Sequence, residues 1–190
     1  MAAFYKIIRI LTLAPILAGF SILCIALACP DVFPTLWHFA YMLFFLGILP
    51  LAAYPLQRFT PHFKNKGRDG QRTLAMLFAV AGYIFCLITN IFVSATGDMW
   101  LICLEYFLSG LLILIFNKGF HIKLSAHGCG SAGPIFLLLY FGLYIPAILM
   151  ACLTVFAYWA SVKAKHHTVP QLIGGSAVSV LLLFCLVFLF

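Results

Sequence analysis

Three polar segments interrupt an otherwise apolar chain of 190 residues, and their side chains suit phosphoryl chemistry. A neutral imidazole can attack phosphorus, and a second, protonated imidazole can give its proton to the leaving oxygen. Lys and Arg neutralise the non-bridging oxygens, because phosphoryl transfer needs mainly positioning and charge stabilisation. This set predicts a phosphate site. The side chains are Lys64, Lys66, Arg68, Arg72, Lys123, Ser125, His127, Lys163, Lys165, His166 and His167.

A helix start is predicted within the second of these segments. The run Ser125-Ala126-His127-Gly128 stands where an apolar helix should begin, and the first turn of a helix leaves backbone N–H groups unpaired. Such a turn attracts anions. No acidic or Cys side chain stands at metal-ligand spacing from the histidines, so neither a metal nor another cofactor is expected.

The remainder of the chain is too apolar for a soluble domain. Hydrophobic residues make up 65% of it, charged residues only 8%, and the mean hydropathy is +1.16. A soluble globule of this size must still cover itself with polar groups. A soluble domain, a disordered chain and a nucleic-acid binder are therefore excluded, and residues 1–190 are expected to form one integral membrane domain. Its seven scattered cysteines are interpreted as packing residues.

Uncharged runs long enough for helices of about 20 residues predict an all-α transmembrane bundle of six to seven spans. Pro146 stands near the middle of one long run and divides it into two spans. All 11 Lys and Arg residues then fall on one side, which the positive-inside rule places in the cytoplasm, and Asp31 and Asp98 fall on the other. The predicted spans are 10–30, 36–56, 73–95, 99–116, 128–144, 146–161 and 172–190.

The order of two motifs carries a resemblance to a known family. The run Lys123-Leu124-Ser125-Ala126-His127-Gly128 resembles the second motif of the type 2 phosphatidic acid phosphatase superfamily, in its bacterial Lys-Ile-Ser-x-His branch. The run His167-Thr168-Val169-Pro170-Gln171, followed by Gly174, resembles the third motif of that branch. Arg68 and Arg72 match the first motif weakly. The resemblance implies two N-terminal spans in 1–56 and a phosphatase-like core in 57–190.

The resemblance also implies a role for each matching residue. His167 would be the nucleophile that forms a phosphohistidine, and His127 would be the general acid for the leaving group. Lys123 and Ser125 would hold the phosphoryl oxygens. Arg68 and Arg72 would face them across the site. Enzymes of this family need no metal.

Two positions depart from the family pattern. Ser161 stands where the third motif has an Arg, so Lys163 or Lys165 would supply that charge, without the bidentate fork of an Arg. Gln171 stands where the family has the acid that orients the nucleophilic histidine. An amide oxygen can orient an imidazole but stabilises an imidazolium less than a carboxylate does.

The expected function is the metal-independent hydrolysis of a lipid phosphate or polyprenyl diphosphate in the bacterial cytoplasmic membrane. The partners are then the lipid bilayer and the lipid substrate. One alternative is a lipid phosphotransferase on the same scaffold. Another is a non-catalytic lipid-phosphate binder or a small transporter, which Glu105 favours because a carboxyl group inside a span is costly and usually functional or paired.

Overall fold

The computed structural model describes residues 11–190, apart from the side chains of Arg68 and Asp69. Lys6, Arg9 and the start of the first predicted span lie outside these residues. Helices account for 83% of the structure, and the described residues contain no strand. The all-helical class expected from the sequence is confirmed.

Seven long helices and one short one follow each other along the described chain. Helix α2 contains a π-helical turn at Phe44–Ile48, and α5 ends in another at Ile115–Gly119. The helices are α1 (Ala14–Ala28), α2 (Leu36–Phe59), α3 (Pro61–Lys64), α4 (Gly67–Phe92), α5 (Gly97–Gly119), α6 (Ala126–Tyr140), α7 (Tyr144–Lys163) and α8 (Val169–Val187).

Within residues 11–190, five helices are long and apolar enough to cross a membrane: α2, α4, α5, α7 and α8. Each coincides with one predicted span. Helices α1 and α6 lie at the other two predicted spans but have only 15 residues each. A helix of this length rises about 22 Å, which is less than the hydrocarbon thickness of about 30 Å.

The long uncharged run divides into two helices, as predicted, but at a different residue. The turn between α6 and α7 lies at 141–143, where Gly142 has a φ of +72°. This left-handed conformation favours glycine. Pro146 instead lies in the first turn of α7, where its missing N–H costs no intrahelical hydrogen bond.

Two hydrogen bonds between helix ends show which loops lie at the same end of the bundle. The Ser125 N–H donates to the Gln171 carbonyl oxygen (3.0 Å), so α6 and α8 begin at the same end. At the opposite end, the Thr96 hydroxyl donates to the Val32 carbonyl oxygen (2.9 Å). Every Lys and Arg side chain that the structure describes belongs to the first end, which we call the basic end: Arg58, Lys64, Lys66, Arg72, Lys118, Lys123, Lys163 and Lys165.

Two cysteines differ from their predicted packing role. Cys86 and Cys103 form a disulfide that links α4 to α5, with a sequence separation of 17. The antiparallel arrangement of these two helices brings the two cysteines together, and no sequence motif indicates that they pair. The other five cysteines are free, and of these only Cys129 is buried.

Candidate functional site

The N-terminal ends of α6 and α8 pack together without intervening side chains. A Cβ atom on Gly128 would lie 2.6 Å from the Leu172 carbonyl oxygen. A Cβ atom on Gly175 would overlap the Ser125 carbonyl oxygen. Only glycine at both positions allows the two backbones to approach so closely. The second and third motifs of the sequence therefore meet at one place, on the basic end of the bundle.

This contact places His127 and His167 near each other. His127 lies in the first turn of α6, and His167 directly precedes the Thr168 cap of α8; both are half-buried. Burial and, to a lesser extent, the nearby charge of His167 lower the pKa of His127 from 6.5 to about 4. His127 is therefore neutral at pH 7 in this structure.

The end of α7 sets the position of the third motif. The N–H groups of Lys165 and His166 donate to the carbonyl oxygens of Val162 and Ser161, both at 3.0 Å, and Lys165 has a φ of +55°. These bonds close the helix with a left-handed residue. The chain then turns back towards α8. His166 is exposed in this turn, whereas His167 is half-buried.

Gln171 and Ser125 cap helices. The Gln171 side-chain oxygen accepts from the Thr168 N–H (3.2 Å), which forms a capping box at the start of α8. The Ser125 hydroxyl accepts from the Gly128 N–H (3.1 Å), and Ser125 is only 1% exposed. Each side-chain oxygen keeps a second lone pair for a further contact. Their described bonds thus hold the two helix starts that carry the histidines.

The predicted phosphate-binding Lys and Arg residues lie on several different elements of the basic end. Lys123 is exposed two residues before Ser125, in a loop that Asn117 holds through two hydrogen bonds with Leu124. The Lys163 ammonium lies 4.5 Å from the centre of the Trp159 ring. Exposed Arg72 belongs to α4, which packs mainly against α2 and α5. The Arg68 side chain lies outside the described residues, so its predicted role stays a prediction.

One partly buried hydrogen-bond cluster lies outside the predicted site residues. The Tyr158 hydroxyl on α7 donates to the Gly128 carbonyl oxygen (3.0 Å) and lies 2.9 Å from the Ser131 hydroxyl and 2.7 Å from the Ser176 hydroxyl. Its ring centre is 6.3 Å from that of His127. The signal in the sequence was a set of hydroxyl groups near the basic end of three apolar helices. Together they connect α6, α7 and α8 directly behind His127.

Replacing Tyr158 by Phe should lower the free energy of unfolding by about 1 kcal/mol, since it removes the shared hydroxyl from this partly buried cluster. Thermal unfolding in detergent would measure the change. Tyr144→Phe is the matched control, because Tyr144 is 64% exposed at the opposite end of the same helix. Equal stability of the two variants would contradict the bridging role.

Glu105 lies in a separate buried region, in the middle of α5. It is 1% exposed, and one carboxyl oxygen accepts from the Ser179 hydroxyl on α8. The other oxygen, Oε2, has no hydrogen-bond partner among the described residues. Gly133 on α6 allows this approach, because a Cβ there would lie 2.9 Å from Oε1. No group of three or more His, Cys, Asp or Glu side chains within the described residues could hold a metal ion.

The composition and the five long apolar helices define the class of this chain as a helical integral membrane protein. Comparison with known proteins adds no nearer relationship: no family model, no curated protein and no solved structure matches the chain.

Proposed function

We propose that the chain is a membrane phosphatase that hydrolyses a lipid phosphate or diphosphate through a phosphohistidine on His167. The observation that carries the proposal is the position of His127 beside His167, where α6 and α8 join at the basic end. The motif resemblance and the surrounding Lys and Arg residues agree with it. A phosphatase-like core within 57–190 is part of the same proposal.

In the first step, an imidazole nitrogen of His167 attacks phosphorus and the bond from phosphorus to the leaving oxygen breaks. His127 gives a proton to that oxygen. In the second step, His127 takes a proton from water, which attacks the phosphohistidine and releases phosphate. Lys123 and the N–H groups of Ala126 and His127 in the first turn of α6 stabilise the charge on the phosphoryl oxygens.

The low pKa of His127 in the free protein is compatible with its role as an acid, because bound substrate raises that pKa. A phosphate group beside His127 brings negative charge, which favours the protonated imidazole and raises its pKa. His127 then takes up a proton as substrate binds and can act as the acid. The neutral form, which the lowered pKa of His127 favours once the substrate charge has gone, serves as the base for water in the second step.

The lipid part of the substrate stays within the bilayer, and its phosphate meets the basic end. The apolar helices end at this level, so a lipid headgroup would reach the basic end while its chains stay beside the helices. The positive-inside rule places this end in the cytoplasm. A free phosphate monoester without a lipid chain should be a poor substrate, because the bilayer does not concentrate it.

Phosphate release tests the proposal. Purified protein in detergent with EDTA would receive phosphatidic acid, phosphatidylglycerol phosphate, a polyprenyl diphosphate or glycerol phosphate. We expect release from at least one lipid, at more than ten times the rate for glycerol phosphate. Complete loss of activity in EDTA, or no release from folded protein, would contradict the proposal. Transfer of the phosphoryl group to a second lipid would indicate a phosphotransferase instead.

A transporter is the second candidate, and Glu105 favours it. Its unpartnered Oε2 lies deep among apolar helices, where a carboxyl group is costly unless it has a function or a partner. Lipid binding without turnover, unchanged by His127→Ala but abolished by Glu105→Gln, would support this candidate over the phosphatase.

A further inference from the structure

A cavity of about 610 Å³ lies at the basic end, away from the two histidines. Its walls come from the end of α2, the short helix α3 and the start of α4, whereas the histidine site is built from 123–127 and 163–171. The volume is in the range of small-ligand pockets. The lining residues are Gln57, Arg58, Lys64, Gly67 and Gln71.

The cavity presents two positive charges, those of Arg58 and Lys64. Neither Arg58 nor Lys64 forms an ion pair with a carboxylate among the described residues. The neighbouring Lys66 is engaged elsewhere, since its ammonium lies 2.9 Å from His62 Nε2 and 5.7 Å from the Phe63 ring centre. A guanidinium and an ammonium on one cavity wall suit an anion with several oxygen atoms, such as a phosphate.

The walls of the cavity are held in place by hydrogen bonds. The Gln57 side-chain amide donates to the carbonyl oxygens of Phe63 (3.2 Å) and Gly67 (2.7 Å). Gly67 has a φ of +51°, which favours glycine at this turn. A Cβ on Gly70 would lie 2.7 Å from the Phe63 carbonyl oxygen, so α3 and α4 approach closely. These contacts hold the end of α2, the helix α3 and the start of α4 against one another.

The position of the cavity identifies the kind of ligand. It adjoins the end of α2, an apolar helix long enough to cross a membrane. Leu56 and Phe59, on either side of Arg58, are 40% and 79% exposed. An apolar surface directly beside a cationic cavity matches a molecule with acyl chains and an anionic headgroup.

We propose that this cavity binds the phosphate headgroup of an anionic membrane phospholipid, at a second site separate from His127 and His167. Arg58 and Lys64 contact the phosphate oxygens, and the acyl chains lie along the exposed apolar side of α2. The inference depends on membrane insertion and not on phosphatase activity. It also gives the polar segment 57–72 a function other than completing the histidine site.

Native mass spectrometry of the full-length protein, released from micelles that contain phosphatidylcholine and phosphatidylglycerol, tests the proposal. We expect the wild type to retain phosphatidylglycerol and the double variant Arg58→Gln/Lys64→Gln to bind it at least tenfold more weakly. Lys66→Gln/Lys118→Gln is the matched control, because it removes two charges from the basic end and neither residue lines the cavity. Its affinity should stay within twofold of wild type.

The controls separate lipid binding in the cavity from diffuse attraction to the basic end and from binding of a free anion. Equal losses in both double variants would overturn the proposal in favour of diffuse attraction. Binding of inorganic phosphate in millimolar amounts, with displacement of phosphatidylglycerol, would show a free-anion site and would also overturn it. Arg58→Lys/Lys64→Arg keeps both charges and should restore most of the binding; if it does not, the loss reflects altered folding and the proposal fails.

Discussion

Replacement of His167 by Ala is expected to lower the rate of phosphate release by at least about a thousandfold, because it removes the proposed nucleophile. Thermal stability should change little, since His167 lies half-buried in the turn before α8. The measurement is phosphate release from the best lipid substrate in detergent. Acid-labile phosphate on the protein, trapped with labelled substrate, should also disappear.

His166→Ala is the matched control, because it removes an exposed histidine from the same turn. It should keep at least a third of the wild-type rate. His127→Ala supplies a second comparison, and it should be slow with lipid substrates. With an aryl phosphate, whose leaving group needs no proton, it should release one equivalent of the phenol and then stop at the phosphohistidine, because His127 is still needed as the base for water. Recovery of His167→Ala with the aryl phosphate, or an inactive His166→Ala protein, would reject the assignment.

The helices could be predicted from the sequence because a bilayer imposes a simple length rule. Each uncharged run of sufficient length forms a helix. The turn between α6 and α7 was predicted at the wrong residue, Pro146. A proline within the first turn of a helix costs no hydrogen bond, whereas a residue with positive φ ends the preceding helix. Gly142 was the better signal for that turn.

The candidate site was predictable only where a motif stood near a helix start. Ser125 and Gln171 were recognised as polar residues of the motifs, but their capping bonds follow from the backbone geometry of α6 and α8. Tyr158 lies among apolar residues of α7, and its partners come from two other helices. Sequence spacing within one helix contains no information about such a neighbour, since helix order and rotation decide it.

The close approach of α6 and α8 makes a single added methyl group a severe change. In Gly175→Ala, the new Cβ would overlap the Ser125 carbonyl oxygen, which belongs to rigid backbone at the N-cap of α6. We expect the free energy of unfolding to fall by about 3 kcal/mol, at the upper end of typical overpacking costs. Phosphate release should be lost as well, because the helices that carry His127 and His167 must separate.

Gly174→Ala on the same helix is the control for this prediction. Its Cβ would lie 2.7 Å from the Leu124 Cδ2 atom, the end of a flexible side chain that can rotate away. Alanine also favours a helix over glycine by up to about 1 kcal/mol, which offsets the crowding. Thermal unfolding and phosphate release of the two variants, compared side by side, should therefore differ sharply. Similar behaviour of both would mean that α6 and α8 are free to move apart, and that the meeting of the two motifs does not depend on this backbone contact.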